Sequence, residues 1–175
     1  VDSTIRRFNS SDSISELTLL IRRAYKQLAD MGFNYTGSYQ DDEITRQRIS
    51  RGECYVLVEG GALIGSIMLY PPNEQPWPAQ QWYAYPGVAS CGQFAVEPRL
   101  QRSGRGAKLM DFVENRAAEI GAVELALDTS EGADHLIRFY TDRGYRFVEY
   151  IQHEGKTYRS MILSKALERS ALTGA

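Results

Sequence analysis

The chain lacks any apolar run approaching the roughly 20 residues that a membrane-spanning helix needs, and its start, Val1-Asp2-Ser3-Thr4, has no signal-peptide character. Cysteine is scarce: Cys54 and Cys91 are the two present, both in apolar, strand-like runs and without the spacing of a metal site. Two buried, reduced thiols suit a cytoplasmic protein and leave neither a disulfide framework nor a metal centre to expect. A charge excess is also missing. Twenty Lys and Arg oppose 22 Asp and Glu, which removes the electrostatic case for nucleic acid as a partner. Internal repeats and linker-like stretches are lacking too. The 43% apolar content of 175 residues is then enough for one core, which predicts a single domain over 1–165 and a frayed tail over 166–175.

What is present reads as an alternation of strands and helices. Thr4 to Phe8 is a short first strand. Ser13-Ile14-Ser15-Glu16 matches a capping box, and Ile14, Leu17, Ile21, Ala24 and Leu28 carry a helical stripe on to Met31-Gly32. An aromatic and polar loop, Phe33 to Tyr39, precedes a shorter helix from Asp41 to Ile49, acidic at its start and basic at its end. Cys54 to Glu59 and Ala62 to Tyr70 form a hairpin around Gly60-Gly61. Pro71 to Ala89 breaks the pattern with five prolines and with Trp77, Trp82, Tyr83 and Tyr85, the composition of a lid or of a loop packed over a sheet edge. Val123 to Leu127 is a strand, and Thr129 or Ser130 is placed to cap the helix of Leu136, Ile137 and Tyr140, which Gly144 ends. Tyr145 to His153 and Thr157 to Ser164 pair around Glu154-Gly155-Lys156.

The most informative stretch lies in the middle. Gly92-Gln93-Phe94-Ala95-Val96 is a short buried strand, and Leu109, Phe112, Val113, Ala117 and Ile120 mark one face of a helix. Between them runs Gln101-Arg102-Ser103-Gly104-Arg105-Gly106-Ala107-Lys108. Glycines without a Cβ, a helix N-terminus with open N–H donors and three cations together describe a pyrophosphate site. A solvated turn is the plain alternative. The dinucleotide fingerprint is excluded by Leu109, where its third glycine belongs, and the Walker loop by the position of Lys108.

Gln101, Gly104 and Gly106 do fit Q/R-x-x-G-x-G/A. With Phe94-Ala95-Val96-Glu97-Pro98 before it, this segment resembles the coenzyme A loop of the GNAT superfamily of N-acetyltransferases. Leu136 to Tyr145 is similar to the family's "fY-x-x-x-G-[FY]" junction of helix and strand. The resemblance spans nearly the whole chain. It implies an α/β GNAT fold: a mixed, mostly antiparallel sheet, central parallel strands that splay apart, and helices on both faces. It implies acetyl-CoA as cofactor, held by the backbone of Phe94, Ala95 and Val96 and by the loop residues Gln101, Arg102, Ser103, Gly104, Arg105, Gly106, Ala107 and Lys108.

Acetyl transfer to an amine needs a polarised carbonyl, a protonated leaving sulfur and a deprotonated ammonium. A backbone N–H near Phe94 or Ala95 suits the first task. The family pattern gives the second to Tyr140, whose phenol is protonated at neutral pH. The third has no evident owner. Where many relatives carry a carboxylate or histidine on strand four, this chain has Gly92 and Ser90, which leaves His153, Glu149, Asp128 or a water chain as substitutes. The family's frequent asparagine seven residues before the tyrosine is replaced by Ala133. For the acceptor side the same reading names Phe33, Tyr35, Tyr39, Trp82, Tyr85 and His153, an aromatic pocket for a small-molecule amine or a peptide end. Two readings remain beside the transferase: a GNAT-fold module that binds acyl-CoA without turnover, and an α/β domain with a fortuitous glycine loop. A homodimer is compatible with each.

Overall fold

The computed structural model describes residues 2–74 and 81–168. Its elements follow in the order β1 (Ser3–Arg7), α1 (Ile14–Asp30), α2 (Asp42–Ile49), β2 (Glu53–Glu59), β3 (Ala62–Tyr70), α3 (Gln81–Ala84), β4 (Val88–Val96), α4 (Arg105–Glu119), β5 (Glu124–Ser130), α5 (Asp134–Asp142), β6 (Arg146–Ile151) and β7 (Ser160–Ala166). The strands form one seven-stranded sheet in the order β1-β2-β3-β4-β5-β7-β6. Every neighbouring pair is antiparallel except β4 and β5, which run parallel. This is the α/β architecture that the order of motifs implies.

Side-chain alternation in β2 and β3 builds a core on each face of the sheet. Cys54, Val56, Met68 and Tyr70 meet Leu17, Leu20 and Ile21 of α1. Tyr55, Leu57, Ile67 and Leu69 point the other way, onto Leu109, Met110, Val113 and Ala117 of α4. Leu109 and Val113 are fully buried, and each such side chain contributes roughly 1.5–3 kcal/mol by leaving water. Gly65 permits the close approach of α4, because a Cβ there would lie 2.8 Å from Leu109 Cδ1.

The local signals in the sequence account for most boundaries. Ser13 caps α1 by accepting the Glu16 N–H, and Asp41 caps α2 by accepting that of Ile44. Gly60 and Gly61, at φ +57° and +80°, make the turn between β2 and β3. Gly144, at φ +95°, follows the last turn of α5.

Three boundaries differ from expectation. The proline-rich segment ends earlier: its residues 81–84 form α3, and β4 starts at Val88. Residues 75–80, Trp77 among them, lie outside the described part. Thr129 and Ser130 belong to β5 and do not cap α5, which starts after Ala133 without a side-chain cap. Their hydroxyls are used elsewhere: Thr129 Oγ1 pairs with the Tyr35 hydroxyl at 2.7 Å, and Ser130 Oγ accepts the Gly132 N–H at 3.2 Å. Finally, the last strand, expected over Thr157 to Ser164, runs from Ser160 to Ala166, and the Leu167 N–H reaches Val123 O at 2.9 Å.

Candidate active site

The site begins where two strands part. β4 and β5 are paired only from Val88–Ser90 against Glu124–Ala126, so the β5-facing edge of β4 is open from Cys91 onward. A bulge marks the opening. Met68 and Ser66 of β3 face Gly92 and Ala95, so two steps on β3 oppose three on β4, and Gln93 sits at φ +47°. That backbone region costs a non-glycine residue roughly 1–2 kcal/mol. Gln93 is anchored there by a bond from Gln40 Nε2 at 3.3 Å, both side chains being buried.

A cavity of about 560 Å³ fills the split. One wall is Cys91 to Phe94 of β4 with Leu136 and Tyr140 of α5, and Leu127, Asp128 and Thr129 of β5 form another. The remaining wall is aromatic and polar: Tyr25, Tyr35, Tyr39, Tyr70, Tyr83 and Tyr158, with Arg48, His153 and Lys156.

Tyr140 is buried and packs edge-on against Phe139 and Tyr145, with centroids at 5.2 and 5.7 Å. Burial raises its pKa well above the ordinary phenol value, and the nearby Cys91 and tyrosines push the same way. It is therefore a neutral O–H donor throughout the physiological range. Across the cavity Asp128 accepts from the Tyr83 hydroxyl at 2.7 Å and bonds His153 Nε2 at 2.9 Å. A carboxylate that fixes a histidine on one ring nitrogen sets its tautomer and orientation. Burial, and then the negative charge of Asp128, hold Tyr83 protonated. Tyr35 is stacked on Tyr158 at 4.7 Å and accepts the Ser130 N–H at 2.7 Å.

Outside the cavity lies the glycine loop. Gly104, at φ +85°, precedes α4, and a Cβ there would meet nothing within 4 Å. Lys108 is the first residue of the helix to donate within it, to Gly104 O at 3.0 Å, so the N–H groups of Arg105, Gly106 and Ala107 face outward at its N-terminus. Gly106 has a different role from Gly104. A Cβ on it would lie 3.2 Å from Phe94 Cζ, so this glycine sets the spacing of helix and strand. Gln101 reaches back to Val96 O at 3.2 Å, and Ser103 Oγ bonds Leu100 O. The cations split. Arg105 Nη2 donates to both carboxylate oxygens of Glu59, each at 2.8 Å, and Lys108 Nζ donates to the carbonyl and hydroxyl of Ser3. Arg102 is exposed, at φ +59°.

Of the acceptor-side residues named from sequence, Tyr35, Tyr39 and His153 line the cavity and Phe33, Trp82 and Tyr85 do not. Phe33 packs edge-on to Tyr158 at 5.8 Å and lies over Gly132. Trp82 turns toward β7, where its Nε1 donates to Ser164 Oγ at 3.0 Å, and Tyr85 is an exposed ring leaning on it at 5.3 Å. The aromatic segment therefore reaches the cavity through Tyr83. Sequence reasoning missed Tyr83, Tyr25, Tyr70, Gln93, Arg48 and Lys156. Only Tyr83 had a local signal, its neighbours in an aromatic cluster; the others converge through tertiary packing of α1, α2, β3, β4 and the turn after β6.

Comparison with known proteins gives this geometry its relatives. The model of the Acetyltransferase (GNAT) family matches residues 18–145. The S-(2-succino)cysteine N-acetyltransferase of Bacillus subtilis (strain 168) is 29% identical over 138 residues, 77% of this chain and 78% of that protein. The S-alkylcysteine N-acetyltransferase of the same organism is 26% identical over 166 residues, 93% of this chain and 89% of that protein. The crystal structure of a GNAT family acetyltransferase from Elizabethkingia anophelis with acetyl-CoA bound matches with a TM-score of 0.67 at 18% identity, over 94% of this chain and 98% of the other.

Proposed function

The chain belongs to the GNAT acetyltransferase family, and from that premise we propose that it transfers the acetyl group of acetyl-CoA to the primary amine of a small molecule by direct attack. The observation that carries the reading is the Tyr140 hydroxyl in the wall of a cavity that opens where β4 and β5 separate.

The residues present fit the cofactor. The open edge of β4 at Phe94, Ala95 and Val96 offers backbone groups to an extended amide-bearing arm. The space over Gly104 and the outward N–H groups at the start of α4 suit a pyrophosphate. Gln101, Arg102 and Ser103 border that space. The charge of Arg105 is matched by Glu59, whereas Lys108, whose partners on Ser3 are neutral, contributes its charge at short range. Acetyl-CoA supplies an acyl group activated as a thioester.

The chain's own groups handle the protons. Tyr140 holds a proton at its hydroxyl and gives it to the departing sulfur. His153, fixed by Asp128, takes the proton of the incoming ammonium. The backbone N–H groups around the Gln93 bulge polarise the carbonyl. Tyr35 and Tyr39 flank the acceptor, and the two relatives, named for S-substituted cysteines, support an amino-acid-type amine. Among the described residues no helix is long and apolar enough to cross a membrane, and the two buried thiols are in keeping with a cytoplasmic enzyme.

The test is release of free thiol from acetyl-CoA in the presence of a panel of amines, including S-substituted cysteines. Amine-dependent release is expected. Binding of acetyl-CoA without release to any amine would make the protein a cofactor-binding module instead.

A further inference from the structure

We propose that Arg48 anchors a carboxylate of the acceptor, with Lys156 as its second cation, so that the enzyme selects amines that also carry an acid group. This deepens the transferase reading and rests on it for the identity of the cavity.

Among the residues that line the cavity, Arg48 and Lys156 are the cations besides any protonated His153. Both are half-buried, yet neither is in an ion pair among the described residues. Arg48 Nη1 donates to Gln40 Oε1 at 2.9 Å. Lys156 Nζ donates to Asn34 O at 3.0 Å, Thr36 Oγ1 at 2.8 Å and Tyr39 Oη at 3.3 Å. Every acceptor is neutral. Elsewhere in the molecule, half-buried arginines such as Arg105 and Arg143 face carboxylates. A cation drawn partly out of water with only neutral partners is under-compensated, and an anion entering the cavity would compensate it.

The two cations are not equivalent. A guanidinium has five N–H donors, and Arg48 uses one of them among the described residues. An ammonium has three, and Lys156 has committed all three, the Tyr39 bond being the longest. Arg48 is therefore the group with fork geometry left for a carboxylate. Lys156 supplies charge and can exchange its Tyr39 contact.

Arg48 is also held in advance. Gln40 is fully buried, and its Nε2 donates to Thr45 Oγ1 at 2.8 Å and to Gln93 Oε1 at 3.3 Å. Those bonds turn the Gln40 oxygen toward the guanidinium and tie Arg48 to the bulge of β4. The charge lies close to the phenols of the lining. Arg48 opposes the burial-driven rise of Tyr25 and Tyr70, and Tyr39, lowered first by a Thr36 hydrogen bond, feels both Lys156 and Arg48.

The two carboxylates in the lining do not fill this role. Asp128 is engaged by Tyr83 and His153, and Glu154 is exposed at the rim. The glycine loop before α4 contributes nothing to this cavity, so the pair is separate from the expected phosphate site.

The experiment compares S-benzyl-L-cysteine with S-benzylcysteamine, the same amine without its carboxylate. Each is titrated calorimetrically into the protein saturated with coenzyme A, for the native chain and for Arg48→Met, Arg48→Lys and Lys156→Met. Native protein should bind the carboxylated probe roughly 10- to 100-fold more tightly, the usual range for charge-assisted hydrogen bonds. Arg48→Met should bring the ratio of the two Kd values close to one, Arg48→Lys should keep part of it, and Lys156→Met should narrow it. A native ratio near one, a ratio unchanged in Arg48→Met, or no binding of either probe overturns the proposal. Thiol release from acetyl-CoA is scored separately. Release without discrimination leaves the transferase and removes the clamp, whereas discrimination without release to any amine leaves the clamp and removes the transferase.

Discussion

Tyr140 and His153 approach the cavity from different sides, and their environments suit them to opposite tasks. Tyr140 packs against Phe139 and Tyr145, and burial makes its phenol resist ionisation. His153 is half-buried and held through one ring nitrogen by Asp128. Replacing Tyr140 by Phe keeps the ring packing and removes the proton, so kcat should fall by about 10²–10⁴-fold while acetyl-CoA affinity changes little. The raised pKa adds a second expectation. From the phenol alone a loss of activity above pH ~10 would be expected, but burial moves that limb upward, so native turnover should show no Tyr140-dependent decline up to pH ~10. Near-native turnover in Tyr140→Phe would make the residue a packing group. His153→Gln should lower kcat/KM by a similar factor, and a variant that retained full rate would leave the ammonium proton to water.

At the scale of elements, the two glycines of the loop separate two kinds of constraint. Gly104 has open space above it and a left-handed backbone, whereas Gly106 is pressed against Phe94. Saturation with acetyl-CoA at about 100 times its Kd should stabilise the native chain by ~2.7 kcal/mol, roughly 5–10 °C in Tm for a domain of this size. Gly104→Asp should abolish most of that shift, because a carboxylate would occupy the phosphate space. Gly106→Val should instead lower Tm of the ligand-free protein, since its side chain must displace Phe94. If Gly104→Asp kept the full shift, the loop would not be the anion site. The same pair shows what was legible in sequence. The strand, loop and helix around Gly104 could be read because their signals are local: a glycine at a helix start, a 3.6-residue stripe, a motif of fixed spacing. That Arg105 would turn to Glu59, or that Gln93 would bulge and meet Gln40, depended on residues 46 and 53 positions away, and no short window contains such information. The aromatic lid was half legible for the same reason. Its composition announced buried rings, but strand β4 starting at Val88 decides that Tyr83 faces the cavity and Trp82 faces Ser164.

Over the whole molecule, the eleven tyrosines turn a local feature into a global property. Burial raises the pKa of eight of them: Tyr25, Tyr35, Tyr55, Tyr70, Tyr83, Tyr140, Tyr145 and Tyr158. Below pH ~10 these phenols are neutral in the folded and unfolded chain alike and give stability no pH dependence. Above it the unfolded chain releases protons that the folded chain retains, so the unfolded state binds fewer and stability falls as pH rises, until each folded-state pKa is reached. Tyr55, Tyr70, Tyr83, Tyr140 and Tyr145 are each no more than 6% exposed. Five such groups impose a slope of roughly 7 kcal/mol per pH unit, against a total stability of about 5–15 kcal/mol for an ordinary domain. The protein should therefore unfold cooperatively within a few pH units above ~10, with most tyrosinate absorbance appearing in the same step as the loss of far-ultraviolet circular dichroism. Tyr140→Phe removes one proton-retaining group and should make that alkaline transition less steep. A smooth rise of tyrosinate absorbance through pH ~10–11 that takes in most of the eleven tyrosines, well beyond the exposed Tyr39, Tyr85 and Tyr150, with native dichroism intact would mean that the rings around the cavity are open to hydroxide. It would also remove the buried, neutral Tyr140 on which the proposed proton donation depends.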